Sequence, residues 1–571
     1  MTKFIGFDTE TVIRDGVHRF FSFQVYSEDF NFGLRKRDEI INFIHYDPNE
    51  LLIYLTEKTD RAWFVCFNLA FDGMVLSEML KGRGYEVKLT LAGSRMIRVT
   101  VRKNDHKWVF CDLRNVMTIG SLDNVGDVLK IQKMKKPDYL GKRAPETLEE
   151  RIYFERYAMR DAEICYKGAR SVYEEFKTWR STCAALAMRV YKRDFAKFKK
   201  FANYPDVLND KFRLSYHGGR TECFIRGTNF DEVLCYDVNS LYPFVMRNKD
   251  YPNVFERFVS KHDVNLDHEG IAKCDVSIDA FFPPLSIKRM TKDKIDKLIF
   301  PNGRFVGYFT YPELRAVEDL KVGKINEVLE SYEWRGRMNP FKEYVDHFYE
   351  LKRAMGREKS AKKSMYKILL NGLYGKFGEH GEVRFIELDG SDIKSDQLAK
   401  PRRAFYHSVP IASYITAYSR LELLKWINKC HEDHVYYADT DSVYTTDDLT
   451  SSCSEELGAL KLEGHVSEGE AVFIRSKFYL FGDKITLKGF TFKENADVMK
   501  LNIFNNKLGR FEHRILKFLE SERIHKIPLT DYYQYKNFSV EADGKRDFEK
   551  KLDNKSLLVE AANSEPIKAV I

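Results

Sequence analysis

The hexapeptide Tyr437-Ala438-Asp439-Thr440-Asp441-Ser442 constrains this chain more than any other segment. Short apolar runs flank it, His434-Val435-Tyr436-Tyr437 before and Val443-Tyr444 after, so it reads as a tight β-hairpin whose turn presents two acids. Carboxylates held together in this way call for a divalent cation, which is how phosphoryl-transfer sites are built. Taken alone, an Asp-Thr-Asp turn also fits an acidic surface loop, so the decision falls to the other acids of the chain.

At 571 residues the chain is too long for one core, and roughly three or more domain-sized units are expected. With 44% hydrophobic and 31% charged residues, and no repeat or low-complexity tract, the sequence is that of a globular protein rather than a disordered one. No apolar run approaches the roughly 18 residues of a membrane span. Met1 to Asp8 leads straight into a strand without a signal-peptide core, so the expectation is an intracellular monomer with no membrane partner, in the host cytoplasm if the source is viral. Nine cysteines lie scattered between Cys66 and Cys453 without a C-x-x-C pair, which argues against a zinc ribbon or a disulfide framework and for buried thiols. The net charge of +8 matters only where it is concentrated. One such stretch runs from Lys133 through Lys135 and Lys136 to Lys142-Arg143. Another interleaves cations with rings from Tyr191-Lys192-Arg193 through Phe195, Lys197, Phe198, Lys199, Lys200 and Phe201. The second fits a surface that tracks a nucleic-acid backbone, and equally a solvated amphipathic helix.

A first group of acids occupies residues 1 to about 178. Phe4-Ile5-Gly6-Phe7 is a buried-strand pattern delivering Asp8 and Glu10, two residues apart and on one face if the strand continues through Thr9. A second apolar run, Ala62 to Phe67, ends in Asn68-Leu69-Ala70-Phe71-Asp72-Gly73. A helix opened by the capping box Thr147-Leu148-Glu149-Glu150 carries Tyr157 and Asp161 at i and i+4. Four carboxylates and a phenol drawn from two strand ends and a helix are what two-metal phosphodiester hydrolysis needs: one cation activates water, the other steadies the departing 3′ oxygen, and Tyr157 orients the water. Singly, each acid also fits a turn, a loop or a helix surface. Together the set resembles the D-x-E, N-x-x-F-D and Y-x-x-x-D motifs of proofreading 3′–5′ exonucleases with an RNase H-like fold.

A second group follows. Glu232-Val233-Leu234-Cys235-Tyr236 delivers Asp237, ahead of Val238-Asn239-Ser240-Leu241-Tyr242-Pro243, where Tyr242 would sit one turn past the acid. Between this strand and the hairpin, Lys363 to Gly375 reads as a helix with Lys363, Lys367, Asn371 and Tyr374 on one polar stripe. Two lysines, an amide and a ring on one face suit a nucleoside triphosphate; a soluble core helix is the plainer alternative.

In this order, D-x-x-S-L-Y-P, K-x-x-x-N-x-x-Y-G and Y-x-D-T-D-S resemble the three polymerase motifs of family B DNA polymerases. Tyr216-His217-Gly218-Gly219 resembles the Y-x-G-G link between exonuclease and polymerase domains, and Lys477-Phe478-Tyr479 the K-x-Y motif. The compact length and the long gap from Tyr242 to Lys363 are similar to the protein-primed branch of small linear-genome phages, adenoviruses and linear plasmids. The resemblance implies an α/β and α+β multidomain chain: an RNase H-like exonuclease over 1–178, palm over 179–248 and 406–505, a terminal-protein-region insertion over 249–342, fingers over 343–378, a second insertion over 379–405 and a thumb over 506–571.

Carried over residue by residue, the resemblance implies that Asp237 and Asp441 hold two Mg²⁺ ions, with Val238 as a further metal and nucleotide contact and Asp439 in support. Mn²⁺ would serve too. Asp8, Glu10, Asp72 and Asp161 would hold the exonuclease metals, with Asn68 and Phe71 on the DNA. Tyr242 would stack under the incoming sugar and exclude a 2′-hydroxyl; Lys363 and Lys367 would meet the triphosphate, and Asn371 and Tyr374 the nascent base pair. Tyr216, Gly218, Gly219, Lys477 and Tyr479 would position DNA. The expected partners are template and primer DNA, dNTPs and a terminal protein. Three departures stand out. Gly372 takes a place where Ser is common, Asp112 lies where relatives grip single-stranded DNA and would repel phosphate, and an exonuclease lysine is expected near Lys135 or Lys136. The rival readings are a family B polymerase using nucleic-acid primers or none, a free-standing exonuclease, and a non-catalytic nucleic-acid-binding protein.

Overall fold

The computed structural model describes residues 2–15, 17–29, 41–51, 55, 62–93, 95–196, 204–290, 296–356, 360–379, 383–390, 392–399, 407–488, 495–505, 511–515, 532–536 and 540–569. The chain divides into two compact units, one of Met1–Ala196, His347–Arg403 and Arg514–Gln534, the other of Lys197–Asp346, Ala404–His513 and Tyr535–Ile571.

The first unit is built on a nine-stranded sheet. At its centre Lys3–Arg14, Ala62–Cys66 and His106–Asp112 run parallel, with Gly6 opposite Val65 and Val65 opposite Cys111. Central parallel strands are covered on both faces, which is why Phe4-Ile5-Gly6-Phe7 and Trp63-Phe64-Val65-Cys66 read as near-continuous apolar runs. Phe7, Phe64 and Phe110 pack ring to ring between these strands. The helix Leu148–Phe176 crosses the sheet at Gly6, where an added Cβ would lie 1.9 Å from the Ala162 carbonyl oxygen. Thr147 caps this helix by accepting the Glu150 N–H at 3.1 Å. The other half of the expected capping box is absent, because the Glu150 carboxylate takes Arg143 at 2.7 and 2.8 Å and the Glu146 N–H instead.

The sheet does not stop at residue 112. Val383–Asp389 pairs antiparallel with Glu86–Ala92, and Asp392–Ala399 forms the outermost strand, so the segment set apart in the sequence as a second insertion is, where described, a hairpin that widens this sheet. The first unit also holds the helix Ala361–Gly372.

In the second unit a five-stranded antiparallel sheet runs in the order Leu460–Val466, Val233–Val238, Ser442–Thr445, Val435–Asp439, Thr221–Cys223. The hairpin strands are thus Val435–Asp439 and Ser442–Thr445; His434 belongs to a short 3-10 turn whose ring meets Asp447 at 2.6 Å. The helix Val409–Ile427 is buried around most of its circumference, its polar residues Arg420 and Glu422 included. Residues 249–342 contribute a further sheet led by Glu269–Ile278, Asn302–Thr310 and Gly323–Trp334.

All nine cysteines are free, seven of them buried. Among the described residues no helix is long and apolar enough to cross a membrane. Of the aromatic and basic stretch after Tyr191, residues 197–201 lie outside the described residues, as do much of 400–406 and 506–539.

The contact at Gly6 generates a prediction. Gly6→Ala forces the helix Leu148–Phe176 off the strand and should cost about 1–3 kcal/mol, read as a lowered denaturant midpoint. An unchanged midpoint would show that the helix does not depend on this approach.

Candidate active sites

Asp8 and Glu10 project from one face of Lys3–Arg14, opposite Gln24 and Ser22 of the neighbouring strand. The Gln24 amide donates to Asp8. Asp72, in the first turn of the helix Leu69–Leu80, is 2% exposed and accepts from the Thr9 N–H at 3.0 Å and the Thr9 hydroxyl at 2.7 Å. Thr9, between the two strand acids, therefore ties the third acid to them. Asp161 reaches in from the long helix and is met by the Lys133 ammonium, which also lies 4.9 Å from the Tyr157 ring.

Electrostatics shows the four acids as one group. Burial and then the charge of Asp161 push Asp8 from 3.8 up to about 7. Burial holds Glu10 well above the usual carboxylate range, with Asp8 and Asp161 adding to the rise. Asp72 is raised by burial and by Asp8, and Asp161 is raised by burial despite Lys133. Burial and Asp161 also raise the Tyr157 phenol, which stays protonated and able to donate. Asn68 and Phe71 stand at the rim of this group: Asn68 is exposed and caps the helix at φ 77, a left-handed conformation Asn tolerates, and Phe71 meets His18 edge-on at 5.7 Å.

Asp112 has a different task from the one its sequence position suggested. Its carboxylate accepts the backbone N–H groups of Asn68, Leu69 and Arg114 at 3.2, 3.1 and 2.9 Å, so it holds the loop that carries Asn68 and Phe71. The lysine bonded to an acid of the group is Lys133, whose signal was only its place in a basic run, while Lys136, one of the two expected, acts on Glu10 through its charge. Gln24 went unnoticed because one amide in an apolar strand reads as noise.

The second site is a matter of register. Asp237 pairs with Ser442, Asp439 pairs with Ser442 from the other side, and the Val238 N–H donates to the Asp441 carbonyl at 2.7 Å. Asp237 and Asp441 are thereby set on neighbouring strand ends. Thr440, at the hairpin tip, has φ 64 and donates its N–H to the Arg220 carbonyl at 2.7 Å. Gly219 lies so close that an added Cβ would come within 2.8 Å of the Thr440 methyl, so glycine at 219 is dictated by the hairpin. Arg420, from the buried helix, donates to the carbonyls of His217 and Gly218 at 2.9 and 3.0 Å and pairs with buried Glu313 at 2.7 Å, a brace without any sequence signal. Gly218 is exposed and Tyr216 half-buried in the same segment.

Lys477, at φ 59, places its ammonium on Asp439 and its N–H on the Tyr437 hydroxyl at 2.7 Å. Tyr479 is buried behind the hairpin, its hydroxyl 2.9 Å from that of Tyr444. Tyr242 is half-buried on the helix Leu241–Asn248, entered through Ser240 at φ 52. In the other unit, Lys367 and Asn371 are exposed on Ala361–Gly372 while Met365, Tyr366, Leu369 and Leu370 are buried, as the stripe predicted. Lys363 is half-buried, with its ammonium on the Gly356 carbonyl. Tyr374, expected on that stripe, falls past the end of the α-helix in the 3-10 turn Tyr374–Lys376.

Among the described residues no three His, Cys, Asp or Glu side chains form a ready-made cation cage; Lys133 pairs with Asp161 and Lys477 with Asp439. The donor sets nonetheless fit a hard divalent ion: every candidate ligand is a carboxylate or backbone oxygen, and the first group is strained by its own like charge.

Residues 147–420 match the family described as DNA polymerase type B, organellar and viral. A probable DNA polymerase of Neurospora intermedia is 29% identical over 53% of this chain, and the DNA polymerase of Streptococcus phage Cp-1 is 25% identical over 74% of this chain and 78% of its own length. The chain spans 34% of the length of the Neurospora relative. Phi29 DNA polymerase, solved with primer-template DNA and incoming nucleotides, has the same fold, with a TM-score of 0.74, 18% identity, and coverage of 95% of this chain and 100% of that one. Over residues 147–420 the chain is thus similar to viral and organellar type B DNA polymerases, and it has the mixed α/β multidomain fold of phi29 DNA polymerase.

Because Asp8 is raised from 3.8 to about 7, the stability it contributes is fully present below about pH 4 and lost as pH rises through 7. Asp8→Asn should therefore stabilise the chelator-treated protein at pH 8 by at least about 1 kcal/mol, with the gap narrowing toward pH 5. Denaturant titrations at the two pH values check this; a variant less stable at pH 8 would contradict it.

Proposed function

We propose that the chain is a DNA-directed DNA polymerase with a 3′–5′ exonuclease that proofreads, replicating a linear genome from the hydroxyl of a terminal protein, with strand displacement. The observation that carries the polymerase reading is the register that sets Asp237 beside Asp441, joined by the Val238–Asp441 backbone bond at 2.7 Å. The kinship with viral and organellar polymerases supports it.

Asp237, the Val238 carbonyl and Asp441 would hold divalent cations, Mg²⁺ or Mn²⁺, that stabilise charge on the attacking and leaving oxygens. The chain's own groups do the rest. The hairpin that carries the acids is held at its tip through Thr440, Gly219 and Arg220. Tyr242 stacks under the sugar and excludes a 2′-hydroxyl. Lys363 and Lys367 meet the triphosphate, Asn371 and Tyr374 the base pair, and Lys477 and Tyr479 the primer end. In the trimming site Asp8, Glu10, Asp72 and Asp161 hold the cations, Tyr157 donates to the water it orients, and Asn68 and Phe71 receive the unpaired 3′ end. Template and primer are held mainly by phosphate contacts, so binding weakens with salt. The protein works inside the cell.

Asp441→Ala should abolish incorporation on a primed template while single-stranded DNA is still degraded; loss of both activities at unchanged stability would refute separate sites. The double variant Asp8→Ala/Glu10→Ala should extend primers at near wild-type rate and fail to remove a mismatched 3′ end. Tyr242→Val should raise ribonucleotide use at least about tenfold, a change of about 1.4 kcal/mol in selectivity; an unaltered dNTP/rNTP preference rejects the steric role. Protein priming is tested by incubating the protein with the neighbouring gene product and labelled dNTP. A covalent protein–nucleotide adduct supports it, whereas extension of oligonucleotide primers without any adduct favours a polymerase that uses nucleic-acid primers.

A further inference from the structure

Outside every motif above, the turn Asp543-Gly544-Lys545-Arg546 returns to the sheet that carries the hairpin acids. The Lys545 ammonium donates to the Thr221 carbonyl at 2.7 Å, and Thr221 is the residue paired with Asp439 across the sheet. The turn is rigid. Gly544 supplies φ 68, the Asp543 carboxylate accepts the N–H of Lys545 at 3.2 Å and of Ser476 at 3.1 Å, and Arg546 is buried against Ser564 at 2.8 and 3.0 Å. Ser476, the residue before Lys477, also donates its hydroxyl to the Thr221 carbonyl at 3.1 Å. A third lysine joins from Asp296–Ile299: Lys297 donates to the Asp543 carbonyl at 2.7 Å.

The charge balance of this cluster is uneven. Lys477 has Asp439, whereas Lys545 and Lys297 rest on backbone carbonyls, and among the described residues neither makes an ion pair with a carboxylate. Asp543 spends its carboxylate on two backbone donors. Glu222, another acid of the region, is shared by Arg220 at 2.6 Å and Arg546 at 3.9 Å. Two ammonium groups are therefore held in place beside the hairpin on backbone carbonyls, with spare donors; Asp543, Glu222 and Asp439 act on Lys545 only through space, without a direct ion pair. A lysine has three donors, and one carbonyl uses one of them. Such a pair suits an anion with several acceptor oxygens, and the anion that reaches this flank of the hairpin in a polymerase is a DNA backbone phosphate.

We propose that Lys545, assisted by Lys297, holds a backbone phosphate of the strand whose 3′ end lies at Asp237 and Asp441, and so acts as a positioning residue for that strand. This rests on the polymerase reading of the hairpin site. It adds to the K-x-Y lysine a second grip from the far end of the chain, tied to the first through Asp543 and Ser476, so that the two lysines keep a fixed spacing along the strand.

The test is binding of a fluorescently labelled primer–template DNA to the full chain in EDTA, by anisotropy across a series of salt concentrations, together with steady-state extension. Lys545→Ala should weaken binding several-fold and reduce the slope of log affinity against log salt by about 0.9, with the dNTP KM unchanged. Lys545→Arg should restore both. Lys545→Gln keeps a donor for the Thr221 carbonyl and lacks the charge, so it must behave as the Ala variant does; it also serves if Lys545→Ala fails to fold. A wild-type slope in Lys545→Gln, or an altered dNTP KM with unaltered DNA affinity, overturns the proposal. If the wild-type protein itself neither binds nor extends the primer, it is the polymerase reading that fails; if it does both and the variants match it, only the Lys545 role fails.

Discussion

Like charge gathered in one place is the constraint from which the rest of this structure follows. Asp8, Glu10, Asp72 and Asp161 are buried near one another and each is pushed above its ordinary range, which no fold favours for its own stability. The protein offsets the cost locally with Gln24, the Thr9 donors and Lys133 rather than by dispersing the acids. A cluster kept at such expense has the chemistry of a cation site, and the lysines on Asp161 and Asp439 supply positive charge from the chain itself.

The two sites reach similar chemistry by different construction. In the first unit the acids come from one strand and two helices, so their meeting depends on how closely the helix Leu148–Phe176 approaches the sheet, and that distance is set by the absence of a side chain at Gly6. In the second, the acids are neighbours by strand register alone, and what needs support is the hairpin tip. Thr440 in a left-handed conformation, the Arg220 carbonyl, the space left by Gly219 and the Arg420–Glu313 pair form that support. The Y-x-G-G segment, which lies within the second unit, is thus part of the hairpin's foundation.

Much of this was legible in the residues because short-range rules carry it. Period-two alternation placed Asp8 and Glu10 on one face, the spacing of Tyr157 and Asp161 placed both on one helix side, and the apolar runs around Asp439 and Asp441 announced the hairpin to within a residue or two. What escaped depends on contacts between distant segments. Lys133 could not be told from Lys135 and Lys136 by charge alone, and Asp112 looked like an obstacle to DNA until its three backbone donors were seen. The hairpin Val383–Ala399 gave no hint that it would pair with Glu86–Ala92, far earlier in the chain, and widen that sheet. Tyr374 left its expected stripe because the α-helix ends at Gly372, a weak helix residue with Gly375 close behind.

The central claim is that one chain carries two acid-lined cation sites, one that lengthens DNA and one that trims it. It is tested most directly by following a labelled primer with a mismatched 3′ end, annealed to a template, in Mg²⁺ or Mn²⁺ with and without dNTPs. Two such sites give stepwise shortening without dNTPs, shortening followed by full extension with them, and neither in EDTA. A primer left untouched in every arm, although bound, would contradict it.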